Sequence, residues 1–279
     1  MSKVIVITGA SGGIGAALAM QLGQQGHRLV LAARREKELN EVARRAAQAA
    51  SAQTIAVTAD VTRRADVDRV RDRALETFGQ VDVWVNNAGR GIGRKVLDLT
   101  DEDLDEMMAV NVKSALYGMQ AIAPHLMERG TGHIINISSF LSRVPFLSFR
   151  SAYSAAKAAL NALTSNLRAD LAESHPGIHV SLVLPGVVTT DFQRNALGGT
   201  PPPRPGAFAT GVQSADEVAA VIVRLIENPV AEVYTNPAQA PIVLRYFQDV
   251  GAFERGQRGP GTAPAGPDRS QGPSSRRPE

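Results

Sequence analysis

Tyr153 and Lys157 stand four residues apart in the run Tyr153-Ser154-Ala155-Ala156-Lys157. On a helix that spacing puts phenol and ammonium on one face. A free tyrosine, with a pKa of about 10, is a poor base at neutral pH. A lysine cation about 4 Å away is worth roughly 4 kcal/mol at an effective dielectric of about 20. That is about three pKa units and brings the phenol towards about 7. A phenol so tuned gives a proton to a carbonyl oxygen or takes one from an alcohol. The competing reading is a surface pair that happens to be spaced by four. Ser138-Ser139 weakens it, because these hydroxyls close an apolar strand, the edge at which parallel α/β sheets bind their ligands.

A second chemical signal lies near the N-terminus. Thr8-Gly9-Ala10-Ser11-Gly12-Gly13-Ile14-Gly15 follows a strand and opens a helix. Glycines allow a tight turn and a close approach of backbone to a pyrophosphate. The free N–H groups and positive dipole of the helix start favour the phosphates. The end of the second strand selects the nucleotide. It reads Leu31-Ala32-Ala33-Arg34-Arg35, with no acid before Glu36. A carboxylate there would accept from the ribose 2′-OH of NAD, whereas Arg34, with help from Arg35, suits a 2′-phosphate. NADP(H) is therefore expected in preference to NAD(H).

The elements that must carry these residues alternate strictly. Strands are read at 4–7, 29–32, 54–57, 81–85, 133–137, 179–184 and 232–234. Helices are read at 13–26, 36–50, 65–78, 101–128, 151–173 and 215–226. Continuous apolar strands alternating with helices predict an α/β fold. The expected architecture is a single doubly wound (Rossmann) domain over 1–253, with a parallel sheet of about seven strands and helices on both faces. Residues 190–212, which include Pro201-Pro202-Pro203-Arg204-Pro205, are expected to form a substrate lid. Residues 254–279 are rich in Gly, Pro, Ser and Arg and are expected to be a disordered tail.

The glycine spacing with its leading threonine resembles that of the short-chain dehydrogenase/reductase family, and the resemblance extends over about residues 3–236. It implies that Ser139 hydrogen-bonds the substrate oxygen, that Tyr153 is the acid/base, and that Lys157 lowers the phenol pKa and holds the nicotinamide ribose. Asn111 would position a water in a proton relay from Lys157. Ser138 and Ser142 are the alternatives to Ser139. The same resemblance assigns Asn86-Asn87-Ala88-Gly89 to sheet stabilisation and the adenosine ribose. It assigns Asp60 and Val61 to the adenine; read alone, Asp60 is a helix N-cap. Pro185-Gly186-Val187-Val188-Thr189-Thr190 would meet the nicotinamide carboxamide, through the backbone of Val188 and the hydroxyl of Thr190. Thr8, Gly9, Ser11, Gly12, Gly13, Ile14 and Gly15 complete the expected nucleotide contacts. Homodimers or homotetramers are also implied.

Composition narrows the field. The 279 residues include no cysteine, which excludes thiolate metal sites and cysteine nucleophiles. The five histidines have no metal-ligand spacing, so no catalytic metal is expected. A net charge of +3 does not suggest a nucleic-acid surface. No apolar run reaches membrane-spanning length and no signal peptide is evident, so a cytoplasmic protein is expected. Phe140-Leu141 and Pro145-Phe146-Leu147-Ser148-Phe149, with Phe192 and Leu197, suit either an apolar substrate cleft or a core. Arg143 and Arg194 are candidates for an acidic substrate group. The expected activity is hydride transfer to or from a carbonyl or alcohol of a hydrophobic small molecule or acyl thioester. The rival is a nucleotide-binding redox sensor of the same fold. Ile242-Val243-Leu244-Arg245-Tyr246-Phe247 is apolar enough to pack on a neighbour.

Overall fold

The computed structural model describes residues 2–50, 52–199 and 211–257. Nine strands and nine helices succeed one another in the described residues: β1 Val4–Thr8, α1 Gly13–Gln24, β2 Arg28–Ala33, α2 Glu36–Ala50, β3 Thr54–Thr58, α3 Arg64–Phe78, β4 Val83–Asn86, α4 Asp101–Met108, α5 Ser114–Arg129, β5 Gly132–Ile137, α6 Ser151–Ala172, β6 Ile178–Leu184, β7 Val187–Thr189, β8 Val212–Ser214, α7 Ala215–Glu227, β9 Glu232–Tyr234, α8 Gln239–Gln248 and α9 Val250–Gln257. Seven strands form one parallel sheet in the order β3-β2-β1-β4-β5-β6-β9. The chain turns from β3 on one side back to β4 on the other side of β1, so the strand order reverses between β1 and β4. Their carboxyl ends open the crevice that such a reversal creates.

The sheet is dry on both faces. Ile5, Ile7, Leu29, Leu31 and Val85 face α1, α2 and α7 and pack on Leu18, Leu22, Leu39 and Ile222. Val4, Val6, Val30, Trp84 and Ile134 meet the helices of the other face through Val67, Val70, Ile122 and Leu126. Burial on both faces is why these strands read as unbroken apolar runs rather than alternating ones. A buried polar chain fixes α6 against the sheet. Trp84 Nε1 donates to Asn86 Oδ1 (2.8 Å), Asn86 Nδ2 to Asn136 Oδ1 (2.8 Å), and Asn136 Nδ2 to Thr164 Oγ1 (2.9 Å). Each member of the chain is satisfied, so it positions α6 without the cost of an orphaned polar group.

Three features depart from the expected elements. The helix expected over 101–128 is interrupted by a π-helical segment, Ala109–Lys113, that carries Asn111. Val187–Thr189 and Val212–Ser214 form a small parallel ladder of their own. The apolar run at 242–247 lies within α8, and α9 follows it to Gln257, so the chain is helical four residues beyond the expected boundary at 253. The cause is local packing: Phe253 lies edge-on to Tyr246 with ring centroids 5.4 Å apart. The proline run and most of the expected tail lie outside the described residues. No helix of the described residues is long and apolar enough to cross a membrane.

Candidate active site

A cleft of about 1040 Å³ opens at the strand-order reversal. One end is walled by the turn after β1. Gly9 adopts φ 67°, a left-handed conformation, and a Cβ there would come within 2.8 Å of the Ala88 backbone. Gly15 faces inward, where a Cβ would meet Gly9 O at 2.6 Å. Both glycines are therefore dictated by close approach. The turn is lashed to the loop after β4: Thr8 Oγ1 accepts from the N–H of Asn87 (3.0 Å) and Ala88 (3.2 Å), and Asn87 Nδ2 donates to Thr8 O (2.8 Å). Thr8 and Gly15 thus build the cradle, while Gly9, Ser11, Gly12, Gly13 and Ile14 line it. α1 begins there with glycine at its N-cap, no side-chain cap and no acid in its first turn. Its N–H groups and positive dipole end are left to an anion, so the residues present fit a pyrophosphate.

Arg34 and Arg35 line the same end. Arg35 lies along the turn, donating to Ser11 Oγ (3.2 Å) and Ser11 O (3.1 Å), with Glu38 at 3.8 Å. Arg34 is exposed and makes no ion pair among the described residues. Asp60 and Val61 border the cleft. The N-cap of α3 is Arg63, however, not Asp60. Asp60 Oδ1 accepts instead from Thr62 N (3.0 Å) and Thr62 Oγ1 (2.8 Å), because it sits three residues too early to cap the helix.

At the other end the structure brings Ser139, Tyr153 and Lys157 together. Tyr153 lies in the first turn of α6, buried, with the Ser139 side chain beside its hydroxyl. Ser138 points elsewhere: its Oγ donates to Asn161 Oδ1 (2.6 Å), and Ser142 Oγ receives Asn161 Nδ2 (2.8 Å). Of the three serines, Ser139 is the one that meets the phenol. Lys157 is 3 % exposed, and its Nζ donates to Ile137 O (2.8 Å) and lies 5.9 Å from the Tyr153 ring centre.

This geometry reverses the expected tuning of the pair. Burial raises the Tyr153 phenol above its ordinary value, against the lowering effects of the Ser139 hydrogen bond and the Arg150 charge. Burial also lowers the Lys157 ammonium to about 7. A lysine committed to a carbonyl and deprived of water loses its own proton before it can acidify a neighbour.

Asn111 is buried in the π segment, and its Nδ2 donates to Arg90 O (2.9 Å) and Met107 O (3.1 Å) while its Oδ1 accepts from Arg90 N (3.2 Å). It therefore pins the loop after β4 over α4, beside Gly89, where a Cβ would stand 3.4 Å from Lys157 Nζ. π segments inside helices commonly mark such sites.

Asn87, Ala88, Gly89, Pro185, Gly186, Val188 and Thr190 all line the cleft. So do Leu141, Phe146, Leu147, Phe149 and Phe192. Phe140 and Leu197, candidates for the same wall, lie outside it. Phe140 is buried against Phe146, and Leu197 packs on the cluster of Ile92 and Tyr153. Arg143 pairs with Glu232 (2.5 Å) and Arg194 with Asp191.

Two residues of the site had no signal in the sequence. Gln239, fully buried at the start of α8, clasps the turn after β6: its amide donates to Leu184 O (3.3 Å) and accepts from Gly186 N (3.1 Å). Arg150, at the N-cap of α6, is 5 % exposed and lines the cleft.

A nucleotide crevice at the switch point of a doubly wound sheet, with Ser, Tyr and Lys side chains at its far end, defines a dinucleotide-dependent oxidoreductase. Residues 3–198 match the family model of the short chain dehydrogenases. An uncharacterized oxidoreductase of Staphylococcus epidermidis is 39 % identical over 188 residues, which are 67 % of this chain and 79 % of that one. Among solved structures, a short chain dehydrogenase/reductase of Burkholderia phymatum in complex with NAD superposes with a TM-score of 0.80 at 30 % identity, over 89 % of this chain and 94 % of that one. A short-chain dehydrogenase of Sphingobium yanoikuyae in complex with NADPH gives 0.74 at 28 % identity, over 95 % and 98 %. The chain belongs to the short-chain dehydrogenase/reductase family and is an oxidoreductase that uses a nicotinamide cofactor.

Proposed function

We propose that this protein is an NADP(H)-dependent reductase of hydrophobic carbonyl compounds or acyl thioesters, with Ser139, Tyr153 and Lys157 as its catalytic residues. The observation that carries the reading is the convergence of buried Ser139, Tyr153 and Lys157 at the apolar end of a cleft whose other end is a phosphate cradle. The bound nicotinamide supplies the hydride. Ser139 and Tyr153 donate hydrogen bonds to the substrate oxygen, and the phenol proton moves to that oxygen as its carbon is reduced. The phenolate left behind is stabilised by the Ser139 hydroxyl. A phenol kept neutral by burial carries the proton that carbonyl reduction consumes. Lys157, close to its titration point at neutral pH, is suited to returning a proton to Tyr153. Leu141, Phe146, Leu147, Phe149 and Phe192 exclude water and favour an apolar substrate.

Arg34 supports NADP(H), since it borders the cleft directly after β2, where the sequence places no acid before Glu36. NADPH is expected to bind tighter than NADH by about 10- to 100-fold, the worth of one charge-assisted contact. Arg34→Ala should remove most of that difference and leave NADH binding unchanged. Equal dissociation constants for the two nucleotides in the unmodified protein would overturn the assignment. The exposed Leu244 (73 %) and Phe247 (62 %) of α8 support the proposal that the chain assembles as a homodimer or homotetramer.

A further inference from the structure

The mechanism above leaves Arg150 with no assigned position of its own. A cation at a helix N-terminus faces the positive end of the dipole, and a buried guanidinium carries a desolvation cost. This one is nevertheless fixed in place. Its NH1 donates to Ile92 O (3.0 Å), in the loop after β4. Its guanidinium carbon lies 5.3 Å from the Phe149 ring centre and 5.8 Å from that of Phe192. Phe192 stands edge-on to Tyr153 at 5.4 Å. Arg94 and Arg150 form a parallel bridge, and Ser151 Oγ donates to Arg94 O (2.7 Å), so the segment 91–94 is tied to the start of α6.

We propose that Arg150 is a positioning residue for Tyr153, a second buried cation that locks Phe192 and the loop after β4 around the phenol and stabilises the phenolate left by proton transfer. The inference rests on the reductase reading for its use but not for its test. Arg150 is the arginine whose charge bears on the phenol, and burial in an aromatic wall strengthens that interaction. The other charged groups on the elements around Tyr153 are placed differently. Lys157 is bound to Ile137 O; Arg90 pairs with Glu106, Arg94 with Asp103 (3.2 Å) and Arg194 with Asp191. Lys95 and Lys113 carry no ion pair among the described residues, and Lys95 is exposed at the rim. A flat guanidinium suits the space between two aromatic rings, which a lysine fills poorly.

The test is a spectrophotometric titration of tyrosinate, taking Tyr153→Phe as the difference reference. It reads Tyr153 whether or not a substrate is known, so a failure of the reductase reading leaves it intact. Arg150→Met should raise the Tyr153 transition by about one pH unit or more, as expected for loss of a nearby opposite charge. Arg150→Lys should restore it partly. With a turning-over substrate, Arg150→Met should cut kcat at pH 7 at least about tenfold, while the nucleotide dissociation constant stays within about twofold. If the Met variant does not fold, Arg150→Gln, which keeps a donor for Ile92 O but not the charge, is read in the same way. A folded, uncharged variant whose Tyr153 transition matches the unmodified protein overturns the proposal.

Discussion

Lys157 holds a positive charge in a place that disfavours it, and the consequence is measurable without any substrate. Its pKa falls from the usual 10.5 to about 7 on folding because the ammonium is buried with a single carbonyl partner, Ile137 O. Between these two values the unfolded chain binds a proton that the folded chain does not. Stability must therefore rise with pH across that window, and below about 7 the full desolvation cost is present. Lys157→Met should abolish turnover and raise the melting temperature at pH 7, by about 2–4 °C for each kcal/mol recovered. Between pH 7 and 9 the melting temperature of the unmodified protein should climb relative to that of the variant. Parallel pH profiles would show that Lys157 is not buried in its charged form. Stability and catalysis oppose each other at this residue, as is common where a site holds a perturbed group.

Elements place these side chains, and the last helices do more of this than their position at the end of the chain suggests. β6 ends at Leu184, and the Pro185–Thr190 segment leaves the sheet to border the cleft. Gln239 of α8 holds that departure in place, at Gly186, whose missing Cβ gives the amide room. Gln239→Ala removes the acceptor of the Gly186 N–H and one of the two donors to Leu184 O, which keeps Thr235 N, at a cost of about 1 kcal/mol. The account expects it to raise the KM for the nicotinamide nucleotide several-fold while kcat changes less, in steady-state kinetics with the nucleotide varied. An unchanged KM would mean that α8 does not position the segment.

This clasp was not legible in the sequence, for a physical reason: a glutamine preceding an apolar run carries no periodicity, and its partners are backbone groups more than fifty residues away. β7 and β8 escaped because they pair only with each other, outside the main sheet, so no long buried apolar run marks them. The π segment escaped because its one extra residue leaves the apolar spacing of 101–128 nearly intact. By contrast, the seven long-range parallel strands were legible from their buried runs, and the glycine turn from the backbone approaches that only glycine permits. That Tyr153 and Lys157 share a helix face was legible from their spacing, and that Ser138-Ser139 close a strand from the apolar run before them; the choice of Ser139 came from the family resemblance. The direction of the Tyr153 and Lys157 pKa shifts was not legible, since it depends on burial that no local pattern encodes.

At the scale of the whole molecule, the sheet order fixes where chemistry occurs. The reversal between β1 and β4 makes one crevice. The turn after β1 and the arginines after β2 occupy one end, and the first turn of α6 with Phe192 occupies the other. On the proposed function, a nucleotide would lie along this crevice with its nicotinamide towards Tyr153. Leu244 and Phe247 of α8 are exposed and do not line the cleft.

The most direct measurement of the central claim is the loss of NADPH absorbance across a panel of hydrophobic ketones, aldehydes, quinones and acyl thioesters, with the unmodified protein and Tyr153→Phe side by side. The account predicts turnover of at least one apolar carbonyl by the unmodified protein. It predicts a fall in kcat of about 10²- to 10⁴-fold in the variant, the usual share of a general acid, with NADPH binding unchanged. Equal turnover by the two proteins would contradict it.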